Sequence, residues 1–365
     1  MFKISSPPLS SPATKNLKSK KHFLILDGLR GVAALAVVIF HFMEWVYPDF
    51  SKNFIGHGFL AVDFFFCLSG FVVGYAYDDR IQKIGTWEFF KSRLIRLHPL
   101  IILGSVLGLL ALLFDPFALD AQGYGTGRII LIFLCSIFLI PLPVMEDRAF
   151  NLFGLNAPSW SLFWEYVANI VYALVLYRLG RRYLLVVTLL AAIALGYVSY
   201  SAGNLLGGWT GENFWDGCAR ISYSFSMGLL IFRYNWVIKN QIGFIFLALL
   251  LSLAFVMPYF EMNWMIETAI VLFYFPLLIS LGAGSSLSKR LKNFCKFSGD
   301  ISYPLYMTHY AVIWMFGNYY TNYQPGETQT FLIISLGTIV LIGVAYVAMV
   351  AYDIPVRKYL NRKRK

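Results

Sequence analysis

Long apolar runs, separated by short breaks rich in basic, Gly or Pro residues, dominate the chain. Eleven apolar segments are readable, at about 25–46, 57–77, 94–114, 128–143, 160–178, 184–200, 215–232, 242–259, 264–283, 301–319 and 330–352. The plainest are Ile101–Phe114, Leu184–Val198 and Phe331–Val350. A helix of roughly 20 apolar residues crosses a hydrocarbon core about 30 Å thick, and a buried soluble core does not need so many such runs. The pattern therefore predicts an all-α integral membrane fold.

The fourth segment decides the topology. It is short, it is interrupted by Pro141 and Pro143, and it follows the Gly-rich stretch Gln122–Arg128. Basic residues concentrate on the cytoplasmic side of membrane proteins. If segment four dips into the membrane and returns, the clusters at 1–21, 80–96, 178–182, 233–239, 289–296 and 357–365 all face the cytoplasm, and they hold 25 of the 30 Lys and Arg residues. If it crosses, 15 of those residues move outside. The reading is thus about ten transmembrane helices plus one re-entrant segment, with both termini cytoplasmic. Irregular backbone at membrane depth is tolerated only where protein buries it or water fills a cavity, so the re-entrant segment implies an outward-facing cavity.

Composition agrees with the pattern. Apolar residues make up 58% and charged residues only 13%, against about 25% charged in soluble domains. Residues 1–22 carry five lysines, no acid and no apolar core of a signal peptide. They read as a disordered cytoplasmic tail, followed by a transmembrane domain at 23–359 and a basic cytoplasmic tail at 360–365. The four cysteines, Cys67, Cys135, Cys218 and Cys295, are scattered, which argues against a disulfide framework or a metal site. The net charge of +11 resides in loops between spans. Anionic inner-leaflet lipid is the expected partner of those loops, and nucleic acid is not.

Ionisable residues inside spans are costly against lipid and mark function. Arg30 and His41 lie eleven positions apart in the first span. At 100° per residue they fall within about 20° of the same helix face, separated by about 16 Å along the axis. Asp63 in the second span, and Ser161 with Glu165 in the fifth, reach a depth similar to that of His41. A carboxylate beside an imidazole fixes its tautomer and raises its basicity, as a general base requires. The same residues also fit a purely structural ion-pair cluster. Arg93 and Arg96 share a face at i,i+3 at the cytoplasmic level of Arg30. Together the three suit an anionic cytosolic ligand, although snorkelling lipid anchors have the same pattern. His309 lies mid-span in the ninth crossing. His22, His57 and His98 fall at span ends and read as interfacial. Arg220 and Asp216, at i,i+4, read as a mutually neutralising pair.

These residues resemble the acyltransferase-3 family of membrane proteins, which includes bacterial O-antigen, peptidoglycan and exopolysaccharide acetylases. Leu26-Asp27-Gly28-Leu29-Arg30-Gly31 followed by His41 is similar to its R-x10-H element, and Gly58 through Asp63 to Phe71 to its second-span motif. Arg93 and Arg96 resemble its R-x-x-R element, and Ser159-Trp160-Ser161-Leu162 with Glu165 its fifth-span motif. Ser302-Tyr303 with His309, and Tyr352-Asp353-Ile354-Pro355, resemble its C-terminal elements, with Asp353 where Glu is expected.

The resemblance implies acyl transfer from cytosolic acyl-CoA, usually acetyl-CoA, to a hydroxyl of an extracytoplasmic or lipid-linked carbohydrate of the cell envelope. By it His41 is the catalytic histidine, and Arg30, Arg93 and Arg96 contact the CoA phosphates. The depths of the residues add that Asp63 or Glu165 orients His41 and that His309 lines the same tunnel. The expected setting is the inner membrane. Direct transfer and an acetylated-histidine relay fit the same residues. So does a rival of another class, a secondary transporter or lipid-linked glycan exporter using the intramembrane charges. The first-span Arg30–His41 element has no counterpart in the second half, however, unlike the paired repeats of many transporters.

Overall fold

A computed structural model of the protein describes residues 22–118 and 123–364. The tail assigned to 1–22 therefore lies outside the described residues, His22 excepted. The described chain is helical: α1 (Leu24–Val46), α2 (Ala61–Tyr77), the short α3 (Ile81–Ile84), α4 (Thr86–Phe114), α5 (Thr126–Ile137), α6 (Ser159–Leu174), α7 (Arg181–Ala202) and α8 (Phe214–Tyr234). There follow α9 (Phe244–Val256), α10 (Asn263–Ala269), α11 (Phe275–Gly284), α12 (Lys292–Thr308), α13 (Tyr310–Tyr323), α14 (Glu327–Val347) and α15 (Ile354–Lys363).

Among the described residues, seven helical stretches are long and apolar enough to cross a membrane: 24–46, 58–77, 86–114, 159–178, 181–202, 263–284 and 327–363. Each apolar segment of the sequence carries helix, but three boundaries move. The tenth segment starts at Lys292 instead of 301. The third stretch begins at Thr86, because its polar first turns are as helical as its apolar body. The last runs on to Lys363 with no break at 359. The fourth segment contains only α5, whose 12 residues span about 18 Å, short of the hydrocarbon core. Past α5 the chain turns through Leu139, Ala149 and Phe150, all with positive φ.

Helices approach closely where one of them lacks a side chain. A Cβ on Gly70 of α2 would lie 1.9 Å from the Phe225 carbonyl oxygen of α8, and one on Gly228 would lie 1.9 Å from the Cys67 carbonyl oxygen. Small residues allow such contacts between helices in membranes. The second close approach, of α1 to α12 through Gly31 against Ser298, brings Arg30 onto α12. Apolar side chains such as Leu190, Ile193, Leu249, Phe331 and Ile339 point outward, as a lipid-facing surface requires.

Two helices widen into π-turns, at Ile270–Tyr274 and Ala348–Asp353. Pro276 and Pro355 follow each of them closely. Proline has no N–H and its ring clashes with the carbonyl four residues back, and the wider turn relieves both. The Leu272 carbonyl, left without its usual donor by Pro276, accepts the Tyr223 hydroxyl at 2.6 Å. The second π-turn re-aims the chain before the basic helix α15.

Candidate active site

His41 and Glu44 stand one turn apart on α1, so both project from the same face. His41 Nδ1 lies 2.9 Å from Glu44 Oε1. A carboxylate only accepts, so Nδ1 carries the proton and Nε2 keeps its lone pair, the tautomer a general base needs. The His309 ring stacks on His41 with centroids 5.4 Å apart, and the Tyr310 ring meets it edge-on at 4.9 Å. His309 Nδ1 is 3.1 Å from the Leu305 carbonyl oxygen, which fixes that proton as well. Its Nε2 is shielded and has no hydrogen-bond partner.

The two carboxylates expected beside His41 hold arginines instead. Asp63 accepts from Arg220 Nη2 at 2.6 Å and Nε at 3.1 Å, and both side chains are essentially unexposed. Arg220 also donates to the Gly207 and Phe59 carbonyls. Its ion pair is thus with Asp63 and not with Asp216, although its charge still acts on the Asp216 carboxylate. The tight α2–α8 approach supplies a bidentate partner, and a buried guanidinium is stable only when fully satisfied. Glu165 accepts from Arg93 Nη2 at 2.8 Å and from Ser69 Oγ at 2.5 Å. Arg93 is buried there, which leaves it poorly placed for a cytosolic phosphate. Ser161 Oγ meets the Tyr306 hydroxyl at 2.8 Å. His57, expected at an interface, is fully buried: its ring bonds the Met257 carbonyl and Asn263 and lies 3.5 Å from Glu267. The loop between α9 and α10 folds over it.

His41 and Glu44 open onto a cavity of about 640 Å³. Trp45, Trp160, Trp209 and Trp314 line it, with Tyr306 and Tyr310. The loop after α5 forms another wall through Asp147 and Arg148. Arg148 is buried, donates to the Gly154 carbonyl at 2.6 Å, and lies 4.8 Å over the Trp314 ring. Glu44 and Arg148 escaped the sequence reading. The i,i+3 spacing from His41 was a usable signal for Glu44, whereas Arg148 had none.

A second pocket, of about 360 Å³, opens between α4 and α15, lined by Tyr77, Ser92, Arg96, Arg357, Lys358 and Arg364 among others. Arg96 is exposed into it. Arg30, Arg93 and Arg357 all lie near enough to repel the Arg96 charge. Arg30 is anchored on α12, donating to Ser302 Oγ at 2.8 Å and to the Gly299 carbonyl at 2.5 Å, with Asp27 at 3.4 Å. Of the three arginines expected to act together, Arg30 and Arg96 border this region and Arg93 is turned toward Glu165.

Comparison with known proteins accords with the geometry. The profile of the acyltransferase-3 family, described as an acyltransferase domain, matches residues 23–350. Protein 2 in the picA locus of Rhizobium radiobacter is 35% identical over 175 residues, 44% of this chain and 84% of that protein. The O-acetyltransferase OatA of Staphylococcus aureus is 33% identical over 106 residues, 28% of this chain. The acyltransferase MdmB of Streptomyces mycarofaciens is 29% identical over 166 residues, 43% of this chain. The matches span 16% of OatA and 40% of MdmB. No solved structure matches. The chain belongs to the acyltransferase-3 family and is an O-acyltransferase.

Proposed function

We propose that the protein moves an acyl group, acetyl in the first instance, from cytosolic acyl-CoA to a hydroxyl of an extracytoplasmic or lipid-linked carbohydrate. It sits in the inner membrane with ten crossings, α5 re-entrant and both termini cytoplasmic. The observation that carries this reading is the His41–Glu44 pair, with Nε2 free, at the edge of an aromatic-walled cavity. Tryptophan faces suit the apolar faces of sugar rings, and a few convergent polar groups fix orientation.

CoA phosphates dock near Arg30 and Arg96, and the pantetheine arm runs along α1 over about 16 Å past His309. His41 Nε2 takes the acceptor hydroxyl proton as that oxygen attacks the thioester carbonyl. The tetrahedral centre collapses, the C–S bond breaks, and the departing CoA thiolate recovers the proton from His41. Glu44 holds the imidazolium while it carries that charge. Asp63 and Glu165 act at one remove: each fixes an arginine and so the helices that carry the site.

The test is transfer of labelled acetyl from acetyl-CoA by purified protein, with and without candidate glycans. No glycan-dependent transfer from any CoA thioester would remove the reading. Cysteine labelling from each side tests the topology, and cytoplasmic labelling of a cysteine placed at Glu146 would sink the ten-span arrangement.

A further inference from the structure

We propose that α15 completes the donor site, with Lys358 and Arg364 gripping the ribose 3′-phosphate of CoA opposite Arg96. The inference rests on the acyl-CoA reading above and assigns residues beyond position 350, where the family match ends.

Four cations, Arg96, Arg357, Lys358 and Arg364, line one pocket of about 360 Å³. Arg96 has no ion pair or hydrogen bond among the described residues. Arg357 is tied to Asp353 at 2.6 Å, yet its Nε is shielded and has no partner. Arg364 reaches back from the end of α15 to α4, where it donates to Glu88 Oε2 at 2.7 Å and to Ser92 Oγ at 2.6 Å. With a third bond, from Nη2 to the Glu88 carbonyl at 2.9 Å, they pin its guanidinium in the pocket lining. Glu88 and Asp353 pair with Arg364 and Arg357, and Asp353 and Asp27 also act on Arg96. Glu88 is shared with Lys91, however, and Asp27 with Arg30, so positive charge is in excess. Like charges held together repel, and the arrangement is favourable when an anion fills it. A phosphate monoester carries about −1.5 to −2, and guanidinium groups match its oxygens bidentately. The pocket is also at the right distance. Arg30, which neighbours Arg96, is on the same helix as His41 at the length of the pantetheine arm. The π-turn at Ala348–Asp353 swings α15 against α4 and so builds the pocket.

A phospholipid headgroup offers the same phosphate chemistry, and the experiment separates the two sources. Dissociation constants for CoA and 3′-dephospho-CoA are measured by calorimetry on the full chain, in nanodiscs of phosphatidylcholine alone and with phosphatidylglycerol. Wild type should prefer CoA by about tenfold or more, which is about 1.4 kcal/mol. In K358Q/R364Q the ratio of the two constants should collapse to about one, and in the charge-retaining K358R/R364K it should survive. A wild-type protein that binds both ligands equally, or a K358Q/R364Q protein that keeps the preference, overturns the inference and leaves the acyl-CoA reading standing. An unchanged CoA preference in K358Q/R364Q with reduced phosphatidylglycerol retention assigns the pocket to lipid and likewise overturns it. Absence of any CoA binding by wild type removes the donor reading itself.

Discussion

The two sites reached from α1 are built on opposite principles. Around His41 the protein answers its own charges: Glu44 holds the imidazole and Asp63 holds Arg220, while Glu165 holds Arg93 farther along the bundle. Burial shields the two arginine pairs from water, which strengthens them. Around Arg96 the positive charges outnumber the carboxylates that answer them. A preorganised polar site stabilises charge that develops during reaction without reorganising. A pocket with surplus charge instead attracts an ionic ligand from solution. The first arrangement suits chemistry and the second suits capture.

The strongest test of that contrast is His41→Ala. It should lose transfer by about 10²–10⁴-fold while CoA binding persists, and Glu44→Gln should lose less, because the imidazole remains. Rates on folded, detergent-purified protein decide this, and a fully active His41→Ala protein would remove the division between the sites. Next in size is Arg220→Ala, which strands Asp63 in a buried position. Removing one partner of a buried pair costs about 3–5 kcal/mol, so chemical unfolding in detergent should show a large loss of stability. An unshifted midpoint would mean that the pair does not hold α2 to α8.

The third test sets Arg93 against Arg96, two arginines that share a helix face. Arg93→Ala should lower stability by orphaning Glu165, whereas Arg96→Ala should raise the donor KM by roughly tenfold with little change in kcat, the signature of uniform binding. If the two variants behave alike, the surplus-charge description of the pocket fails. The smallest effect is expected from Trp314→Leu in the cavity wall, a rise of a few-fold in acceptor KM with donor KM unmoved. A donor effect of equal size would show that the two sites are not separate.

Much of this could be read before the structure. Apolar run length predicted each helical segment, and the prolines at 141 and 143 predicted that segment four would fall short, as α5 does. The motif residues pointed to the family that the comparisons establish, and membership in a family of acyltransferases displaces the transporter alternative. Partners were less legible. Asp63 was placed beside His41 on depth alone, and depth does not fix the direction in which a side chain points around its helix. The basic C-terminal stretch read as a tail, because a charged sequence gives no sign of the helix that packs against it.

The dividing line is the range of the interaction. Residues on one helix are related by a rotation of 100° and a rise of about 1.5 Å each, so the sequence by itself set Arg30 and His41 on a common face. The structure turns both toward the strip formed by α12 and His309. The same geometry fixed His41 against Glu44. Contacts between helices depend instead on where backbones approach, and glycines with no outward signature govern that. Gly70 and Gly228 bring Asp63 to Arg220 across 157 positions, Gly31 sets Arg30 on Ser302 across 272, and Arg364 meets Glu88 across 276. Packing of the whole bundle chose those partners, because each buried charge had to find its counter-charge among whatever the neighbouring helices presented at that depth.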